Sequence, residues 1–180
     1  MNNRQIIACV DQSPYANAVA DCAAWVSTQV EAPIEFLHAI DRHPEQGSGE
    51  DHSGAIGFDA QEALLNKLLE DDRKKVRAAR DQGRLFLNGL KQRLSHLKNT
   101  QVDTRLRHGS LVETLAERED HARVFVMGRK GESSADSNRD IGRTFEQAVR
   151  AIKKPVLGVQ SEFVEPKRFL FAFDGSAVSK

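Results

Sequence analysis

Several things are missing from this sequence, and each absence narrows what the protein can do. It has no net charge: 26 basic and 26 acidic side chains cancel, and no basic stripe is interleaved with aromatics. That argues against the electrostatic footprint of a nucleic-acid binder. Long apolar runs are missing too. Ile6 to Val10 and Phe169 to Phe173 are among the longest, far below the roughly 20 residues that a bilayer-spanning helix needs. The N-terminus has no apolar signal core. These readings predict a cytoplasmic protein with neither nucleic acid nor membrane as a partner. Cysteine is scarce, with only Cys9 and Cys22, each among apolar neighbours, so buried thiols are expected rather than a disulfide. Without a CxxC pair, a structural zinc site is not expected either. At 180 residues the chain fits one domain, alone or with an appendage.

What is present alternates between strand and helix patterns. Gln5 to Val10 (QIIACV) reads as a buried strand with Asp11 at its carboxyl end. Ser13-Pro14 then opens a helix whose apolar side is Val19, Cys22, Ala23, Val26 and Val30. With no histidine nearby in sequence to activate it, Ser13 reads as a cap before it reads as a nucleophile. Ile34 to Ile40 (IEFLHAI) is a second strand, with Ala39 near its carboxyl end. A polar loop with four glycines follows. Its His43, Glu45, Asp51 and His52 match no metal-ligand spacing. Phe58 to Leu97 carries leucines three or four apart around a charged middle, EDDRKKVRAARDQ. One helix of 40 residues would be about 60 Å long, so a break or a projecting segment is expected between Ile56 and Lys75. Gln101 to Arg107 alternates as a third strand, with Val102, Thr104 and Leu106 on one face, and Ser110 to Glu113 reads as a capping box for a short helix.

The stretch VFVMGRKGESSADSNRDIGRT, Val124 to Thr144, carries the functional signal. A short apolar strand runs into Gly128-Arg129-Lys130-Gly131, and after a polar loop Gly142-Arg143-Thr144 opens a helix. Glycines let backbone N–H groups approach an anion, and a helix N-terminus favours negative charge. The same glycines could equally do no more than turn the chain from strand to helix. Lys153-Lys154-Pro155 closes that helix, and PVLGVQ is a fifth strand. Strands alternating with helices predict right-handed crossovers and one five-stranded parallel sheet, Rossmann-like, in a three-layer α/β/α sandwich. The carboxyl ends of strands one, two and four then bring Asp11, Ala39 and the Gly128–Gly142 loop around one crevice.

Four features make the chain resemble the universal stress protein family over about Arg4 to Gln160. They are the aspartate after strand one (Asp11), His38-Ala39 closing strand two, Met127-Gly128 ending strand four, and Lys154-Pro155-Val156 opening strand five. The resemblance implies an adenine nucleotide alpha hydrolase-like fold. In ATP-binding members a G-2x-G-9x-G-[S/T] motif grips the phosphates and ribose. By resemblance Gly128, Gly131 and Gly142 take the glycine places, Asp11 lies near the ribose or a metal, and the Ala39 backbone meets the adenine edge. Two departures stand out: ten residues separate Gly131 from Gly142, and Arg143 occupies the Ser/Thr place, with Thr144 one step late. Arg143 could clamp a phosphate or fill the site itself. Thr144 could instead form a T-x-x-Q capping box with Gln147.

The tail repeats the beginning. Lys167 to Ser176 (KRFLFAFDGS) matches Arg4 to Ser13 (RQIIACVDQS) position by position. The expected organisation is therefore a universal stress protein domain over 1–160, then a linker and the first strand of a truncated second repeat over 161–180; a generic strand-Asp pattern is the other explanation. Fifth-strand and tail edges imply a homodimer. The functional expectation is a stress-response regulator that binds ATP, with Mg²⁺ as an optional companion, and has at most very weak ATP hydrolysis, since no general base or nucleophile stands out. A nucleotide-free module working through dimerisation and partner binding is the alternative.

Overall fold

A computed structural model describes residues 4–40, 58–97, 100–132, 139–172 and 174–176, with 58–65 described as backbone only. The elements run β1 (Gln5–Cys9), α1 (Ala16–Val30), β2 (Ile34–Ile40), α2 (Phe58–Arg93), β3 (Val102–His108), α3 (Leu111–Arg118), a 3-10 turn (Glu119–His121), β4 (Ala122–Gly128), α4 (Arg143–Ala151) and β5 (Val156–Val159). All strand pairs are parallel, in the order β3-β2-β1-β4-β5. The expected five-stranded parallel sheet is therefore the fold. The chain winds outward from β1 in one direction and then returns to its other side, which puts the topological switch between β1 and β4.

Apolar side chains close both faces of the sheet. Ile6, Ala8, Val10, Phe36, Val124 and Val126 pack with α1 and the last turns of α2, while Ile7, Cys9, Leu37, Phe125 and Met127 pack with Leu115, Ala148 and Ile152. The three inner strands, β2, β1 and β4, are buried on both sides, hence their largely apolar runs. Cys9 and Cys22 are free and buried, as expected.

A polar exception lies within the second layer. Glu35, 3% exposed, sits on β2. Its carboxylate accepts hydrogen bonds from Arg105 Nε at 2.9 Å and from Arg118 Nη2 at 3.0 Å to each oxygen. One buried acid thereby ties edge strand β3 and the end of α3 to β2. Glu119 makes a second tie, accepting the backbone N–H groups of Lys153 and Lys154 ahead of β5.

Helix α2 contains no break. Its 36 residues span about 54 Å, and the side chains at 66–78 are nearly all exposed; docking on the sheet begins near Ala79 and Gly83. The projecting segment is real, and the charged middle lets one unbroken helix stand in solvent. At Gly83 the helix comes close to the sheet: an added Cβ would lie 2.9 Å from Leu106 Cδ1 and 3.2 Å from His38 Cδ2.

The tail, 161–180, follows β5. None of its described residues forms a strand, and Phe169, Leu170 and Phe171 are 80%, 98% and 80% exposed. A strand needs a neighbour, and β1 has one on each side. The linker packs back on α1. Phe163 lies 6.1 Å from the Trp25 ring centroid, and Trp25 Nε1–H donates to Glu165 Oε1 at 3.2 Å. The loop with His43, Glu45, Asp51 and His52 lies outside the described residues.

Candidate functional site

The strand register sets the site. Cys9 is level with Leu37 on β2 and Met127 on β4, so the residues just beyond, Asp11, Ala39 and Gly128, surround one opening at the carboxyl ends. A crevice of about 510 Å³ lies there, within the range of small-molecule sites. Asp11, Ala39, Gly128, Gly131 and Thr144 line it, whereas Gly142 and Arg143 do not.

Asp11 and the glycine loop meet directly. Asp11 Oδ1 accepts the Ser13 N–H at 3.2 Å, and Oδ2 accepts the Glu132 N–H at 2.8 Å across 121 residues of sequence. A Cβ at Gly131 would stand 2.6 Å from Asp11 Oδ2, so a side chain there would displace the carboxylate. Gly128 meets different neighbours. Its Cβ would lie 2.8 Å from both Lys130 O and Tyr15 Cβ, so its missing side chain lets the chain turn against the start of α1. Gly128 thus turns the chain and also lines the crevice.

The start of α4 also differs from expectation. Gly142 is its N-cap, in extended conformation, and gives its own N–H to Arg129 O at 2.7 Å, so that N–H is spent within the loop. Arg143, the first helical residue, is exposed and leaves the crevice unfilled. Thr144 is already inside the helix, so the T-x-x-Q capping box does not form; Thr144, Phe145 and Gln147 line the crevice instead. The first-turn N–H groups of α4 have no intrahelical acceptor. The N-cap of α1 is Tyr15 rather than Ser13, whose Oγ instead accepts the Tyr15 N–H at 3.3 Å in the turn before the helix.

Other lining residues were not among the expected site residues. His38 is buried, with Nδ1 2.8 Å from the Val10 carbonyl oxygen and its ring edge against Phe86. A carbonyl only accepts, so Nδ1 carries the proton and the tautomer is fixed. The turn from β3 to α3, Gly109 to Val112, lines the crevice as well as starting the helix. Gly109 has φ +112° and gives its N–H to Ile40 O at 3.0 Å, which carries β3 across the end of β2. Ser110 Oγ accepts the Glu113 N–H at 3.5 Å, half of the expected capping box. At the rim, Gln82 Nε2–H donates to Gln12 Oε1 at 3.1 Å. On the floor, burial pushes the Cys9 thiol far up, and the negative charges of Glu35 and Asp11 add to the shift. The thiol stays protonated and is no nucleophile.

The model of the universal stress protein family matches residues 2–160. The chain belongs to that family. Among curated proteins, the universal stress protein Slr1230 of Synechocystis is 27% identical over 175 residues, covering 97% of this chain and 61% of the relative. This universal stress protein thus spans under two thirds of that relative's length. Among solved structures, the protein MJ0577 superposes with a TM-score of 0.66 at 17% identity, covering 89% of this chain and 97% of its own. A universal stress protein in complex with cAMP superposes at 0.57 and 17% identity, covering 89% and 98%. At these identities the superpositions carry the fold.

Proposed function

We propose that this universal stress protein binds ATP in the crevice at the carboxyl ends of β1, β2 and β4 and acts as a cytoplasmic stress-response regulator, with at most very weak hydrolysis. The observation that carries the reading is the Asp11 carboxylate held against Gly131 and the Glu132 N–H at 2.8 Å. An acid and an N–H-bearing glycine loop face one opening beside the first turn of α4. A structural neighbour in complex with cAMP supports an adenine nucleotide as the ligand class. The Ala39 backbone would meet the base, and the Gly131 loop with Thr144 would meet the phosphates. Mg²⁺, if it accompanies the nucleotide, would take one carboxylate oxygen from Asp11 and the rest of its shell from phosphate and water. Isothermal titration with ATP and Mg²⁺ tests the reading: micromolar to submillimolar binding that weakens about tenfold or more in Asp11→Ala supports it. No heat at millimolar nucleotide overturns it.

A second reading has its own observation. Asp11 already satisfies the loop N–H, as a built-in anion would, so the crevice is stable without a ligand. The protein would then work by pairing, through edge strand β5 and the apolar tail. Asp174 Oδ1 accepts the Ser176 N–H at 2.9 Å, the same turn that Asp11 makes with Ser13. That recurrence supports a second repeat beginning in 161–180. Light scattering at high micromolar concentration separates dimer from monomer.

A further inference from the structure

A second groove, of about 600 Å³, runs between α2 and β3 and is lined by Arg80, Arg84, Leu87, Asn88, Thr104, Leu106 and His108. The residues of each wall are spaced to match. Arg80, Arg84 and Asn88 follow one another a turn apart along about 12 Å of helix, and Thr104, Leu106 and His108 share one face along about 13 Å of strand. Helix α2 returns antiparallel to the sheet, so the arginines lie towards His108 and Asn88 lies towards Thr104. Leu87 and Leu106 form an apolar floor.

The charge in this groove is what sets it apart. Five arginines elsewhere are held by partners: Arg93 by Asp21, Arg105 and Arg118 by Glu35, Arg150 by Glu146, and Arg123 by the Val30 carbonyl. Among the described residues, the side chains of Arg80, Arg84, Asn88 and His108 take part in no hydrogen bond or ion pair. The groove also lies beside β3, an edge of the sheet, whose outer side pairs with no strand among the described residues.

We propose that this groove takes an extended acidic peptide segment, which adds to the outer edge of β3 and directs alternate carboxylates at Arg80, Arg84 and His108. Side chains of an added strand alternate between faces, so acids at every second position fall on the α2 side, while the intervening residues lie on the other face. Main-chain bonding to β3 supplies affinity, and the two guanidinium groups select acid over neutral residues. The crevice at the carboxyl ends plays no part, so the proposal stands or falls apart from nucleotide binding.

The test titrates the full chain with two fluorescein-labelled peptides, Glu-Val-Glu-Val-Glu and Gln-Val-Gln-Val-Gln, at low salt. The acidic peptide should bind at least about tenfold more tightly than the neutral one. The exposed pair Arg80→Glu/Arg84→Glu should remove that preference, and Arg80→Lys/Arg84→Lys should keep most of it. Hydrogen exchange should show new protection of the β3 amides when the acidic peptide is bound. Asn88→Glu gives a second single-site check should the double variant misfold. Equal affinity for the two peptides, no binding at millimolar peptide, or no change in β3 exchange would each overturn the proposal. So would tighter binding of a short RNA, which would make the groove a nonspecific anion surface.

Discussion

At position 131 the missing Cβ matters because a carboxylate stands where it would go. Gly131→Ala should push Asp11 off the Glu132 N–H, and the lost charge-assisted bond is worth about 1.5–3 kcal/mol. A drop in denaturation midpoint together with weaker ATP binding by calorimetry is the expected pair of results. Retained affinity would mean that the loop has no part in the site. Glu35 offers a purely structural counterpart. Glu35→Ala leaves Arg118, and in part Arg105, buried without a counter-charge, a loss of about 3–5 kcal/mol for a broken buried pair. Thermal unfolding should register it, whereas an exposed pair such as Arg150–Glu146 should be nearly silent when broken. Residues of the first kind were legible in sequence: an acid after a strand and a glycine-rich turn are local patterns. Glu35 was not legible, because its two partners are 70 and 83 residues away.

At the scale of elements, α2 joins two regimes in one helix. Its first part stands in solvent on charged turns, and its last part packs on β2 and β3. Within the docked part, two glycines lie on opposite sides of the helix. Gly89 has nothing within 4 Å of an added Cβ, so Gly89→Ala should stabilise by about 0.5–1 kcal/mol through helix propensity and the unfolded chain. Gly83 lies against Leu106 and His38, so Gly83→Leu should destabilise by about 1–3 kcal/mol through overpacking. Chemical denaturation of both variants gives opposite signs if α2 docks as described. The leucine spacing made the helix evident, but not where it leaves the sheet. Projection depends on how far the strands extend, and strand length is fixed by pairing with neighbours.

For the whole molecule, the two thiols and the tail give predictions that no single element does. Cys22 is pushed up to about 11 by burial, and Cys9 further. A folded pKa above the unfolded value, near 9, means that the unfolded chain loses its protons first. The contribution is therefore complete below pH 9, and stability falls as pH rises from about 9 through 11 and beyond. A Cys22→Ala variant should show a shallower decline over that window in pH-dependent melting. Leu170→Ser should leave melting unchanged, since Leu170 is 98% exposed in the single chain. Removing 161–180 should red-shift the emission of Trp25, the one tryptophan, because Phe163 and Glu165 would no longer cover it.

What the sequence determined by itself was the order of elements, the parallel sheet and the two ends of the site, Asp11 and the Gly128–Gly131 turn. Periodicity, capping and breaker residues act over a few positions, and alternating strands and helices leave few topologies. Only the tertiary structure decided that Gly128 yields to Tyr15, that Arg143 stays outside the crevice, and that Gly109 to Val112 form one of its walls. It also decided that none of the described residues of 161–176 joins the sheet. Each of these depends on which distant backbone comes to lie alongside, and crossovers set that distance in space independently of separation along the chain.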